Sequence, residues 1–154
     1  LEDVRQVLKE TGVKPEQAVL ELTEVAIVKG NELDRYSLGG LRGLGVGIEI
    51  DDFGTGYSSI SYLRRLPVDR VKVDRSLISG LETDPSQPAL VAAVLQLVRA
   101  CGLEAVWEGV ETAEQAEILR GLGCLSAQGY YFSRPLPPEQ IPALLAGQQE
   151  SANQ

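Results

Sequence analysis

The chain has 154 residues, 44% hydrophobic and 23% charged, with a net charge of -8, the composition of one globular domain rather than a disordered chain. Such an acidic balance argues against binding a nucleic-acid polymer, and the longest apolar stretch, Pro88 to Val98, is broken by Gln96 and too short to cross a bilayer. There is no histidine, which excludes a Ser-His-Asp triad, a His-ligated zinc and a metal site built on His and Asp; any metal must be held by oxygen, which favours magnesium, manganese or calcium.

In chain order, Leu1, Val4, Val7 and Leu8 share one helical face, and Gly12 ends that helix. The run AVLELTE, ending at Glu24, reads as a buried strand. Leu33, Tyr36, Leu41 and Leu44 mark a second helix, weakened by Gly39 and Gly40. GVGIEIDD, ending at Asp52, is the next strand. A short helix on Ile60, Leu63 and Leu66 is stopped by Pro67, and VDRVKVD is a third strand, ending at Asp74. The strongest helical pattern, Leu90 to Cys101, stops at Gly102, where a left-handed residue is wanted. LEAVWEGVE gives a fourth strand, with Glu108 at its end and Glu111 in the loop beyond. Thr112 and Gln115 have capping-box spacing ahead of a helix burying Ala116, Leu119 and Leu122. A fifth strand, AQGYYFS, ends near Ser133, and its aromatics Tyr130, Tyr131 and Phe132 are expected in the core. The last helix starts at Pro137-Pro138 and carries Ile141, Leu144 and Leu145; the tail 148–154 is expected to fray. Cys101 and Cys124 are expected to be buried free thiols in a reducing, cytoplasmic compartment, and LEDVRQ has no export signal.

Strict alternation of helix and strand implies a parallel sheet with helical crossovers. No GxGxxG or GxxxxGK[ST] follows the first strand, as an open nucleotide-binding sheet would require. Instead, charge recurs at strand ends, where a closed (β/α)8 barrel carries its chemistry. Such a barrel needs ~250 residues, roughly 30 per unit. The expectation is therefore an α/β, TIM-like barrel represented by about five βα units over residues 1–147, with units on the N-terminal side outside this sequence.

The densest signal is DDFGTGYSS. Asp51 and Asp52 close a strand where charge is costly to bury, Gly54 and Gly56 permit a tight turn, and Ser58-Ser59 can cap the next helix. ELTE puts Glu21 and Thr23 on one side of its strand, and VKVD puts Lys72 and Asp74 on another common face. QGYYFSRP offers Gln128 as a neutral polar group, with Arg134 and Pro135 at the rim.

ELTE, DDFGTGYSS, LPVDRVKVDRSLI, EGVET and QGYYFSRPLP together resemble the EAL domain, the phosphodiesterase of bacterial cyclic di-GMP signalling, in its C-terminal two-thirds. The resemblance implies a modified TIM barrel that hydrolyses cyclic di-GMP to the linear dinucleotide with magnesium or manganese. Carried over by motif, Glu21 and Asp51 bind metal, Asp52 serves a second metal or the nucleophilic water, and Glu108 is a metal ligand or general base. Lys72 holds the water or a phosphate oxygen, with Asp74 orienting it. Gln128 hydrogen-bonds near the attacking water, Glu111 steadies the loop after Asp52, and Arg134 and Pro135 touch substrate. The E-A-L tripeptide and an Asn ligand of the family lie on strands that this sequence does not contain, so the parent protein is expected to be the enzyme and this chain alone to be inactive. Trp107 stands where the family has a small residue and is expected to alter packing beneath the site. The resemblance also implies an upstream sensory or diguanylate-cyclase domain, through which the parent chain can be membrane-anchored, and a homodimer. Its alternative is a degenerate EAL-like domain that binds cyclic di-GMP or a protein partner without turnover.

Overall fold

The computed structural model describes residues 1–23, 32–56 and 63–152. Five strands form one parallel sheet: β1 (Val19–Thr23), β2 (Gly47–Phe53), β3 (Arg70–Val73), β4 (Glu104–Trp107) and β5 (Ser126–Ala127). Their spatial order is β1-β2-β3-β4-β5. Each strand thus lies beside its neighbour in sequence, as staves of a barrel do, and the order never reverses as it does in a doubly wound sheet. The helices are α1 (Glu2–Thr11), α2 (Glu32–Gly43), α3 (Gln87–Ala100), α4 (Ala113–Gly121) and α5 (Ile141–Ala152).

Alternation along the strands separates two faces. On one face Ile48, Ile50, Val71, Val73, Ala105 and Trp107 pack into a core with Val91, Leu95 and Val98 of α3 and Ala116 and Leu119 of α4. The opposite face carries Glu21, Glu49, Asp51, Arg70 and Lys72, and the register sets Glu21 beside Glu49 and Glu49 beside Arg70. Trp107 is fully buried in the apolar core. It therefore lies across the sheet from the acidic groups, not beneath them as expected, because β4 pairs it with the core residue Val73.

Other expectations resolve case by case. Gly12 and Gly102 end their helices in the left-handed region, at φ 69° and 76°. Thr112 and Gln115 form the capping box: Thr112 Oγ1 accepts the Gln115 N–H at 3.1 Å, and Gln115 Oε1 accepts the Thr112 N–H at 3.4 Å. The apolar stripe of α1 buries none of its residues. Glu24, Ser58, Ser59 and Ile60, with the side chains of Leu33 and Tyr36, lie outside the described residues; Leu63 and Leu66 are buried. α5 runs to Ala152, into the segment expected to fray, in a stretch rich in Ala, Gln and Glu, which propagate helix well.

The fifth strand is a correction. It has two residues, and the chain then turns at Gly129, with Tyr131 N–H bonded to Val110 O and Phe132 N–H to Gly129 O. Tyr130, Tyr131 and Phe132 are consequently exposed, Tyr130 by 54%, and do not join the core. A Cβ at position 129 would collide with the Val110 backbone, so Gly129 permits the approach that ends the strand.

Candidate active site

The polar rim is built where four strands end. Lys72, on β3, is only 7% exposed. Its Nζ lies 3.1 Å from Glu21 Oε2 on β1, 3.0 Å from Asp51 Oδ1 on β2, and 2.9 Å from Glu108 Oε1 just beyond β4. Burial pulls the pKa of the ammonium down, but hydrogen bonds to Glu108, Asp51 and Glu21 outweigh it and the net shift is upward. Lys72 is a fixed cation among three carboxylates.

Glu108 owes its place to ladder bonds that outlast the strands. Its N–H donates to Val73 O at 3.0 Å, and Gln128 N–H donates to Trp107 O at 2.8 Å. The ends of β3, β4 and β5 are thus in register one residue past the sheet, and Gln128 Nε2 donates to Glu108 Oε1 at 2.5 Å. Lys72 and Gln128 both bond the same oxygen, Oε1.

Asp52 requires a backbone device. Consecutive strand residues point to opposite faces, so Asp51 and Asp52 could not both face the site on a regular strand. The β2–β3 register shifts between Ile50 and Phe53, a bulge that re-aims a side chain. Asp52 takes φ 58°, the single positive φ outside glycine among the described residues. Its N–H donates to Asp51 Oδ1 at 3.1 Å, and its carbonyl accepts the Thr55 hydroxyl at 3.0 Å. Carboxylate oxygens of Asp51, Asp52 and Glu108 all lie within 4.8 Å of one another. The donors are hard oxygens, and Lys72 already pairs with two of the three, Asp51 and Glu108. This set fits Mg2+, Mn2+ or Ca2+.

Asp74 stands one residue past β3, where its N–H donates to Phe53 O at 3.2 Å. β3 ends at Val73, and the Asp74 carboxylate accepts the Ser76 N–H at 2.9 Å, capping the short 3-10 turn Arg75–Leu77. That hydrogen bond holds its pKa below the usual carboxylate value. It braces the turn after β3, while the ion-pair partners of Lys72 are the other three acids. The Glu111 N–H donates to Gln115 Oε1 at 2.8 Å; residues 57–62, in the segment it was expected to steady, lie outside the described residues.

Beside the carboxylates lies a cavity of about 680 Å³, lined by Glu108, Gln128, Tyr130, Arg134 and Pro135 among others. Its volume suits an organic ligand of nucleotide size. The Arg134 guanidinium stands 4.9 Å from the Tyr130 ring centroid. Arg134 and Pro135 both wall the cavity. The sequence reading missed Tyr130 as a wall residue, and it missed Arg75, which lines the same cavity. The signal for Arg75 was its place directly after the strand-end Asp74.

Residues 1–135 match the EAL domain family. The chain belongs to the EAL domain family. It is 43% identical over 146 residues to the bifunctional diguanylate cyclase/cyclic di-GMP phosphodiesterase MucR of Pseudomonas aeruginosa, covering 95% of this chain and 21% of that protein. The EAL domain of Mycobacterium smegmatis DcpA superposes with a TM-score of 0.87 at 43% identity, over 95% of this chain and 66% of that one. The manganese and cyclic di-GMP complex of Klebsiella pneumoniae BlrP1 superposes with a TM-score of 0.77 at 36% identity, over 86% of this chain and 34% of that one. This EAL chain thus spans about a fifth of the length of the curated relative and just under two thirds of the DcpA structure. Its five parallel strands form part of an EAL-type TIM barrel.

Proposed function

We propose that this site belongs to a hydrolase that opens one phosphodiester bond of cyclic di-GMP to give the linear dinucleotide. The observation that carries the reading is the convergence of Asp51, Asp52 and Glu108 oxygens within 4.8 Å beside a cavity of nucleotide size. The named relatives, a cyclic di-GMP phosphodiesterase and a manganese and cyclic di-GMP complex, support it.

Glu21, Asp51, Asp52 and Glu108 would hold Mg2+ or Mn2+. Such ions neutralise phosphate oxygens and make a bound water acidic enough to attack near neutral pH. The chain's own groups do the rest. Lys72, held protonated, offers an N–H to the attacking water or a phosphate oxygen. Gln128 and Lys72 fix the Glu108 carboxylate through Oε1, which leaves Oε2 either to hold the ion or, in place of that, to take the proton the water loses. The water oxygen bonds to phosphorus, one ester oxygen leaves, and that oxygen takes up a proton. Asp74 and Glu111 support the turn and loop on either side of this group, and Arg134 and Pro135 bound the space for the rest of the ligand.

The full-length protein that carries these residues is expected to be a cytoplasmic-facing signalling protein, with a sensory or diguanylate-cyclase domain upstream. Assayed with manganese, it should yield linear dinucleotide from cyclic di-GMP. Glu108→Gln should abolish turnover while binding persists. Tight binding with no product from the unaltered protein would replace the hydrolase with a non-catalytic cyclic di-GMP receptor.

A further inference from the structure

We propose that Arg75 is a substrate-binding residue of this site, holding the second, non-reacting phosphate of a cyclic dinucleotide; the inference rests on the hydrolase reading above. The run VDRVKVDR places one Asp-Arg pair at the start of β3, with Arg70 its first residue, and one directly after its end. At the first, the charges are matched: Arg70 Nε pairs with Glu49 Oε1 at 2.7 Å, and Asp69 takes Arg42 at 3.2 Å. At the second, Asp74 turns to the Ser76 N–H, and among the described residues Arg75 has no ion-pair partner.

An exposed arginine is ordinary by itself. Two features set this one apart. Arg75 lines both the cavity of about 680 Å³ and a neighbouring one of about 620 Å³, at the wall they share with Asp74, Gly109 and Glu111. It also stands against the residue that follows Glu108. Gly109 has φ 73°, and a Cβ there would collide with the Arg75 Cβ, so the absence of a side chain brings the arginine stem beside the Glu108 backbone. The Arg75 carbonyl accepts the Ile78 and Ser79 N–H groups, each at 3.0 Å. Its backbone is fixed, and its guanidinium, whose charge acts on Asp74 from a distance, is held by no ion pair among the described residues.

A cyclic dinucleotide carries two phosphates. With one at Asp51, Asp52 and Glu108, we place the other along the cavity that Glu108 lines, in a protein of net charge -8 and near the acids Asp74 and Glu111. Without a cation there, the field would repel it. The planar fork of arginine suits phosphate oxygens, and Arg75 is placed to offer it.

Calorimetric titration of the full-length protein in calcium tests this, using cyclic di-GMP, with two phosphates, and cyclic GMP, with one. Arg75→Gln should weaken cyclic di-GMP binding about tenfold or more, the loss of one charge-assisted hydrogen bond. It should leave cyclic GMP binding, manganese affinity and the circular dichroism spectrum unchanged, and Arg75→Lys should recover part of the loss. Unchanged cyclic di-GMP binding, or equal weakening toward both ligands, would overturn the role of Arg75 and leave the hydrolase reading standing. Failure of the unaltered full-length protein to bind cyclic di-GMP would sink both.

Discussion

Lys72 sets the charge balance of the site, since it is the cation that three acids on three strands share. Replacing it by Met should leave those acids repelling one another. The cost should be on the order of 2 kcal/mol, below the ~3–5 of a fully buried broken pair, because Glu21 and Asp51 are partly open to water and screened. Manganese should offset much of that loss, so the rise in melting temperature on adding it should be larger in Lys72→Met than in the unaltered chain; an equal rise would separate Lys72 from the metal ligands. Asp52 allows a sharper comparison. Asn tolerates its left-handed backbone and Val does not, so Asp52→Asn should keep the unfolding midpoint while Asp52→Val loses about 1–3 kcal/mol, and both should lose manganese affinity. The identities of these residues were legible in the sequence as charge at the ends of apolar runs. Their convergence was not, because it depends on the pairing of Ile50 with Val71 but Phe53 with Val73, a bulge that composition does not announce. The cap that Asp74 makes on the turn after β3 was not legible either, because strand alternation says nothing of a bond to the Ser76 N–H two residues on.

Among elements, the alternation of helix and strand and the capping box at Thr112 were readable because each rests on local spacing. β5 was not. Its aromatics read as a strand by propensity, but Gly129 meets the Val110 backbone and turns the chain away, a tertiary contact that overrides propensity. Turned outward, Tyr130 becomes a wall of the cavity and not a core residue. The segment after α4 carries a pH-sensitive group of its own. Burial pushes the Cys124 thiol up to about 11, with the charge of Arg99 opposing it only in part. The folded state therefore holds this proton more tightly than the unfolded chain, in which the thiol titrates near 9.0. Its stabilising contribution is whole below that pH and is lost as pH rises through 11. The urea midpoint should fall between pH 8.5 and 11 by more in the unaltered chain than in Cys124→Ala, and parallel curves would show that Cys124 contributes nothing to the alkaline loss.

At the scale of the molecule, the sheet has two open sides among the described residues: β1 pairs only with β2, and β5 only with β4. β1 is the longer edge, and Val19 at its start is 39% exposed. Such an edge templates pairing with another chain. Net charge opposes this, since two copies each carrying -8 repel. The range of that repulsion is set by salt, with a Debye length of about 30 Å at 0.01 M and about 3 Å at 1 M. Edge pairing and apolar contact are short-ranged and survive screening. Light scattering of the chain should therefore show monomer at low ionic strength and larger species as salt rises, the reverse of an assembly held by ion pairs. Val19→Lys puts a charge on the β1 edge and should shift the onset of association to higher salt. A monodisperse monomer throughout the salt range would mean that the β1 edge is already protected, and association that weakens with salt would point to complementary charge as the cause.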